Sequence, residues 1–259
     1  MLAATRRERI VDLVSARRSI SSDELADQLA VSVETVRRDL TALHEGGQLT
    51  RVRGGAIHSE VRASSEPSFR DRTRIAVGEK NAIAEIAAQL AEGLSTIFID
   101  IGTTSTAVAR ALVDSFAGTV ITPSMRVAEV LGTSEDIDIF IPGGKIRAGD
   151  MSVSGSTACE FLESVNPDIA FLGTGGIDLD AGFTDFELQE IDIKRTVLRN
   201  SRRSFALADS SKFSVRAPFK VCDLSDLAGI ITDPELPSAE QERYIANGVE
   251  VLNSNTASA

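Results

Sequence analysis

Apolar side chains recur at helical spacing in three segments near the start of the chain. The first segment covers residues 6–16 and predicts a short amphipathic helix. A second helix is expected to begin at Ser21, because Ser21 and Glu24 have the spacing of a capping box. After a turn of three residues, Ser32 can cap a third helix that ends near Gly46. The pattern therefore predicts three helices, the last two joined by a tight turn.

Two short strands are predicted directly after the third helix. Residues 48–53 and 56–57 are brief extended segments, and Gly54 and Gly55 separate them. A glycine pair between extended segments favours a tight hairpin. Three helices followed by a small hairpin predict a winged helix-turn-helix domain over residues 1–60.

From about residue 79 onward, short apolar runs alternate with helical patterns. This alternation is typical of an α/β domain with a largely parallel sheet. Helices are predicted over residues 79–91 and 104–113, and strands over 96–99, 120–121, 137–141, 169–172, 205–208 and 229–232. We therefore expect an α/β domain over residues 79–259, preceded by a polar linker over residues 61–78.

The formal charge is distributed unevenly along the chain. The net charge of −11 argues by itself against a polyanionic partner. Residues 1–74 nevertheless carry 13 basic and 11 acidic side chains, whereas residues 75–259 carry 14 basic and 27 acidic ones. The acidity belongs to the predicted α/β domain, so the N-terminal domain remains compatible with DNA.

The first residues and the cysteines bear on location and chemistry. Residues 1–18 carry charges every few positions and contain no apolar run long enough for a signal peptide or a membrane span, so we expect a cytoplasmic protein. Cys159 and Cys222 lie far apart without metal-ligand spacing and are expected to be small buried residues. We expect neither a metal nor a cofactor.

The outer face of the third predicted helix carries residue types that read DNA. In a helix-turn-helix, the second helix of the motif enters the major groove, where its first residues meet base edges and basic side chains meet phosphates. Arginine suits both tasks because its planar fork can grip guanine or clamp a phosphate. The candidate DNA-binding residues on this helix and on the hairpin are Ser32, Glu34, Thr35, Arg37, Arg38, Arg51 and Arg53. An alternative, solvated arginines on a plain helical module, leaves the capping box, turn and hairpin unexplained.

Loops rich in small residues follow several of the predicted strands. A loop that opens a helix presents backbone N–H groups to an anion, and loops at the carboxyl ends of parallel strands gather at one crevice. The candidate effector-binding residues in or beside these loops are Asp100, Gly102, Thr103, Thr104, Ser124, Gly143, Gly144, Arg147, Gly175, Asp178 and Lys212. Glu190 and Lys194, four apart on a predicted helix, are either further residues of the crevice or a surface ion pair.

These motifs resemble those of the DeoR family of bacterial repressors. In the first domain the resemblance rests on ERIVDLV and SSDELADQLAVSVETVRRDLTALHEGGQLTRVRGGAI. In the second it rests on FIDIGTT, VITPS, IPGGKIR, DIAFLGTGGID, FTDFELQEIDIKR and LADSSKF.

The resemblance implies an effector domain similar to pentose-phosphate isomerases and a phosphorylated sugar or polyol as effector. The residues that it implies for the phosphate are Gly102, Thr103, Thr104 and Lys212. Those that it implies for the sugar part are Arg147, Asp178, Glu190 and Lys194.

Two classes of function are compatible with the sequence. The first is a transcriptional regulator, by the resemblance a repressor of genes for sugar or polyol catabolism or uptake, whose operator affinity changes when the effector binds. A homodimer or homotetramer is expected, because winged-helix proteins usually read paired half-sites. The alternative is a sugar-phosphate isomerase-like enzyme that carries a DNA-binding module, with crevice carboxylates such as Asp100 and Glu190 as candidates for a base.

Overall fold

The chain forms two compact units, Met1–Arg62 and Ala63–Ala259. The computed structural model describes residues 3–17, 19–45, 49–52, 54–57, 61–62 and 66–254. Among the helices of these residues, none is both long and apolar enough to cross a membrane. The first unit ends close to the boundary that the sequence places after residue 60.

The first unit combines three helices with a small antiparallel sheet. Its elements are α1 (Ala3–Arg17), β1 (Ser19–Ser21), α2 (Ser22–Leu29), α3 (Val33–Glu45), β2 (Thr50–Val52), β3 (Gly55–Ile57) and β4 (Val61–Arg62). Strands β2 and β3 form the predicted hairpin, and β1 pairs with the other edge of β3. The hairpin is therefore anchored beside the start of α2 by a strand that the sequence pattern did not reveal.

Local sequence explains where α2 begins and ends. The Glu24 N–H donates to Ser21 Oγ at 3.1 Å and the Ser21 N–H donates to Glu24 Oε2 at 3.0 Å, which confirms the capping box. Ala30, in the left-handed conformation with a φ of 52°, ends the helix. The apolar stripes of all three helices meet in one core that includes Ile10, Val14, Leu25, Leu29, Val36, Leu40, Leu43 and Leu49. Each such burial contributes about 1.5–3 kcal/mol to stability.

The second unit is built on a parallel sheet of seven strands. In chain order these are β5 (Thr96–Ile99), β6 (Gly118–Ile121), β7 (Ile137–Phe140), β10 (Ile169–Gly173), β13 (Ser204–Leu207), β16 (Gly229–Ile231) and β17 (Val251–Leu252). Their spatial order is β17-β16-β13-β10-β5-β6-β7, and neighbouring strands are parallel. This confirms the expected α/β class with a largely parallel sheet.

Helices cover both faces of this sheet. They are α5 (Val77–Ala91), α6 (Thr103–Leu112), α7 (Met125–Leu131), α8 (Ser156–Glu163), α9 (Leu188–Asn200) and α10 (Ser238–Ala246); the short helix α4 (Phe69–Arg72), which has no buried residue, precedes them. Ile97 and Ile99 of β5 enter a core shared with α5, α6 and α7, whereas Phe98 enters a core shared with α8, α9 and α10. Successive residues of a strand point to opposite faces, so a strand covered on both faces has to be apolar throughout.

Smaller elements surround the sheet. They are the hairpin β8 (Lys145–Arg147) and β9 (Ser152–Ser154), the antiparallel sheet β11 (Gly176–Asp178), β12 (Gly182–Asp185) and β15 (Phe219–Cys222), the strand β14 (Val215–Arg216), and the 3₁₀ turns Ser210–Lys212 and Leu224–Asp226. The sequence pattern did not predict these pieces, because each has only two to four residues and none is a continuous apolar run like that of β5.

Residues 66–76, which we call the strap, differ from the expected linker. The strap contains α4 and packs on the second unit: Arg72 forms an ion pair with Asp150. The Lys80 Nζ donates to the carbonyl oxygens of Arg72 and Ile75, both at 2.6 Å. Arginines and a proline in a polar stretch suggest a solvated linker. The contacts with Asp150 and Lys80, which the sequence pattern does not show, make the segment part of the fold.

Candidate functional site

The outer face of α3 carries most of the predicted DNA-binding residues. Arg37 and Arg38 have side chains 57% and 79% exposed, and the Glu34 carboxylate lies between them at 3.8 and 3.9 Å. At these distances and exposures the pairs are weak, so the arginines remain available to an external anion. Ser32 caps the helix by accepting from the Thr35 N–H at 3.2 Å.

On the hairpin, Arg51 is exposed and is oriented by a hydrogen bond from its Nη1 to Thr41 Oγ1 at 2.9 Å. This bond ties the hairpin arginine to the same helix that carries Arg37 and Arg38. Arg53, the other predicted hairpin contact, lies outside the described residues.

A buried ion cluster, which the sequence analysis missed, fixes α3 against α1. Asp39 has a side chain only 3% exposed and accepts from Arg6 Nε at 2.6 Å and from Arg7 Nε at 2.9 Å. Burial raises the pKa of Asp39, but the hydrogen bonds from Arg6 and Arg7 outweigh burial and hold that pKa below its ordinary value. Asp39 therefore orients the helix whose opposite face presents the exposed arginines.

The second unit contains a charged pocket at the point where its strand order reverses. Strands β5, β6 and β7 progress to one side and β10, β13 and β16 to the other, so the loops after β5 and β10 diverge and leave a crevice. The cavity there measures about 750 Å³, including space open to solvent. In open α/β sheets, small ligands bind at such a crevice, outside the carboxyl ends of the strands.

Seven of the predicted effector residues line this pocket. They are Gly102, Thr103, Thr104, Gly175, Glu190, Lys194 and Lys212. The loops that carry them follow β5, β10 and β13, neighbouring strands of the sheet, and α9 supplies the other two. The sheet order therefore brings together residues more than a hundred positions apart in the sequence.

One end of the pocket is suited to an anion. Gly102 precedes α6 with a φ of 111°, a conformation that favours glycine, and no side chain caps this helix end among the described residues. The backbone N–H groups of the first turn, with the hydroxyls of Thr103 and Thr104 beside them, are therefore directed at the pocket. Lys212 and Lys80 line the same cavity and supply positive charge.

Lys80 was missed by the sequence analysis. It is 7% exposed, and burial lowers the pKa of its ammonium although Asp209 opposes the change. A signal was available, since Lys80 lies three residues before Ile83 on the apolar stripe of α5, where a lysine is unusual.

The floor of the pocket is a buried charge cluster around Lys194. Its ammonium pairs with Asp100, lies 3.2 Å from Asp185 Oδ2, and donates to the Gly173 carbonyl at 2.8 Å. Burial lowers the pKa of Lys194, but Asp100 and Asp185 together raise it above its ordinary value.

Asp100 is 1% exposed and lies behind Lys194 instead of lining the pocket. Glu190 and Lys194 are 6% and 1% exposed, so the alternative that they form an ion pair on the surface is excluded.

Glu190 connects the pocket to a second ion network. Arg147 Nε lies 2.8 Å from Glu190 Oε1, and Ser152 Oγ donates to the same oxygen at 2.5 Å. Burial raises the pKa of Glu190 to about 7, against the effects of Ser152 and Arg147. Arg147, expected to meet the ligand, thus lies behind Glu190 and also pairs with Asp150 at 3.1 Å.

Four other predicted effector residues do not line the pocket, and local structure accounts for three of them. Ser124 is 1% exposed and caps α7 by accepting from the Val127 N–H at 3.2 Å. Gly143 and Gly144 lead into β8, and a Cβ on Gly144 would lie 2.4 Å from the Ser154 carbonyl oxygen. Asp178 pairs with Arg216 Nε at 3.0 Å. The loops after β6 and β7 belong to strands beyond β5, away from the reversal point, and so do not reach it.

Fold and sites together define a helix-turn-helix DNA-binding protein that carries an α/β unit with a charged pocket. Residues 6–61 match the family model described as the DeoR-like helix-turn-helix domain. Residues 75–234 match the model described as the DeoR C terminal sensor domain. The chain belongs to the DeoR family, and it is a DNA-binding transcriptional repressor of that family rather than an enzyme.

Curated relatives resemble the chain over almost its whole length. The HTH-type transcriptional repressor CsqR of Escherichia coli is 33% identical over 249 residues, which cover 95% of this chain and 94% of that protein. The glycerol-3-phosphate regulon repressor of Escherichia coli is 34% identical over 238 residues, which cover 92% of this chain and 93% of that protein. Among solved structures, ribose 5-phosphate isomerase A from Neisseria gonorrhoeae is 18% identical, with 52% of each chain covered and a TM-score of 0.36.

Proposed function

We propose that this repressor responds to a phosphorylated sugar or polyol bound in the pocket of the second unit, and that its targets are genes for the uptake or catabolism of such compounds. The observation that carries the proposal is the polarity of the pocket. Lys80, Lys212 and the first turn of α6 suit a phosphate, while the carboxylates of Asp185 and Glu190 suit hydroxyl groups. The name of one relative, a glycerol-3-phosphate regulon repressor, supports this ligand class.

The pocket and the DNA-reading helix act together only if the ligand prefers one of two states of the protein. The effect on operator affinity is limited by that preference, typically about 1–3 kcal/mol. We further propose that the repressor works as a homodimer or homotetramer, so that two copies of α3 meet paired half-sites.

The test is thermal melting of the full chain with a panel of sugar and polyol phosphates. A ligand that binds only the folded state adds about 2.7 kcal/mol when present at a hundred times its dissociation constant. We expect Lys212→Ala to weaken this stabilisation and to leave operator binding intact. Lys145→Ala removes the same charge from an exposed position on β8 and serves as the control. Equal stabilisation of the Lys212→Ala variant and the parent would rule out the phosphate role of Lys212.

A further inference from the structure

The strap forms one wall of the proposed ligand pocket. Glu66, Pro67, Arg72 and Ile75 line the same cavity as the first turn of α6. In the chain, the strap follows the first unit after residues 63–65 only. A pocket wall is therefore made by the segment that leads directly from the DNA-binding unit.

Charged contacts hold the strap in place at both ends. Glu66 Oε1 lies 2.6 Å from Arg72 Nη1 within the strap, and Glu66 Oε2 lies 3.7 Å from Arg147 Nη2 of β8. Arg72 in turn pairs with Asp150. At the other end, Lys80 donates to the carbonyl oxygens of Arg72 and Ile75 and also lines the pocket. Three of the groups in these contacts, Glu66, Arg72 and Lys80, also line the pocket.

This network contains more carboxylates than guanidinium groups. Glu66, Asp150 and Glu190 are set against Arg72 and Arg147, and the Glu66 side chain is only 19% exposed. Burial raises the pKa of Glu66 above its ordinary value although Arg72 opposes the change. A carboxylate accepts about four hydrogen bonds, so the contacts of Glu66 with two arginines leave capacity for hydroxyl donors from the pocket. A neutral polyol chain would supply such donors without adding negative charge.

We infer that Glu66 binds the hydroxyl groups of the pocket ligand, and that ligand binding is thereby coupled to docking of the strap on the second unit. The inference rests on the proposed function, because it requires a phosphorylated ligand whose polyol chain points toward Glu66. Lys80 donates to the strap carbonyls and also lines the anion end of the pocket, so inorganic phosphate is the probe that separates any contribution of Lys80 from that of Glu66. By linkage, the factor by which docking of the strap tightens ligand binding equals the factor by which the bound ligand favours docking.

The experiment measures ligand binding and strap protection separately in the full chain. The probes are inorganic phosphate, glycerol 3-phosphate and fructose 6-phosphate; binding is followed by thermal melting and docking by hydrogen exchange of peptides that cover residues 66–76. We expect the two polyol phosphates to slow exchange in the strap, and inorganic phosphate to stabilise the protein without a comparable slowing. Glu66→Gln should weaken binding of the polyol phosphates about tenfold, the value of one charge-assisted hydrogen bond, and leave phosphate binding unchanged.

Asp71→Asn is the matched control, because Asp71 is an exposed carboxylate of the strap that does not line the pocket. Hydrogen exchange of the strap is measured in the parent protein, so this part of the test can be carried out even if Glu66→Gln is unstable. Polyol phosphates that stabilise the parent but leave strap exchange unchanged, or that bind Glu66→Gln as tightly as the parent, would overturn the coupling and leave the pocket intact. If no probe stabilises the parent, the proposed function fails for these ligands and the coupling fails with it.

Discussion

Replacement of Lys194 by methionine measures how strongly the buried charge cluster supports the second unit. Lys194 and Asp100 are each 1% exposed, and Asp185 lies 3.2 Å from the ammonium. Methionine replaces most of the side-chain volume but leaves Asp100 buried without its countercharge, and removal of one partner of a buried pair costs about 3–5 kcal/mol. For a unit of this size, about 2–4 °C of melting temperature corresponds to each kcal/mol, so we expect a fall of roughly 6–20 °C.

The assay is calorimetric melting of the parent, Lys194→Met and the double variant Asp100→Asn with Lys194→Met. Without Lys194, burial raises the folded-state pKa of Asp100 further, and stability gained by protonation is present at low pH and lost as the pH rises. The destabilisation should therefore be smaller at about pH 5 than at about pH 8. The double variant should recover part of the stability, because it removes the stranded charge. A destabilisation below about 1 kcal/mol, or a double variant no more stable than Lys194→Met, would refute this account of the pocket floor.

Two further predictions concern the DNA-reading face and the pH response. Replacing Arg37 and Arg38 by alanine should weaken binding to an operator fragment. The slope of log affinity against log salt concentration should fall by about 0.9 for each phosphate that is no longer neutralised. Replacing Arg202 and Arg203, an exposed pair on the second unit, by alanine is the matched control and should leave binding unchanged. If the two double variants have equal salt slopes, Arg37 and Arg38 of α3 do not contact DNA phosphates. Glu190 has a pKa raised from 4.5 to about 7, so its contribution to stability is full at low pH and lost by neutral pH. Urea unfolding should show that the free energy of unfolding of the parent, relative to that of Glu190→Gln, falls by at most about 3 kcal/mol from low to neutral pH. If the free energies of unfolding of the two proteins change in parallel with pH, the raised pKa of Glu190 is contradicted.

Much of the fold follows from short-range sequence patterns. The capping box at Ser21, the stripe of α3 and the four-residue run of β5 each lie within one element, so their hydrogen bonds and apolar spacing are visible in the sequence itself. The loop of Gly102 to Thr104 was recognisable for the same reason: a small-residue turn between a strand and a helix is a local motif. These features predicted the winged helix, the parallel sheet and the anion end of the pocket.

The strap and the charge clusters were not predictable in this way. Arg72 and Asp39 are residue types that usually lie in solvent, and their burial depends on partners far along the chain, Asp150 for Arg72 and Arg6 for Asp39. Some residues were also predicted wrongly as ligand-binding. Ser124 and Gly144 follow strands, as ligand-binding residues do, but they serve only local structure. Loop chemistry alone does not reveal which strands are neighbours.

The sequence by itself determined the types of the main elements, their order and the surface of α3, since these depend on hydrogen bonds and apolar periods within some ten to fifteen residues. Only the tertiary structure decided which loops share a pocket, because that depends on the sheet order that places β10 beside β5. It also decided which charges are buried and paired. Burial and pairing are properties of residues distant in the chain, and those properties set the pKa values and the contacts of the candidate site.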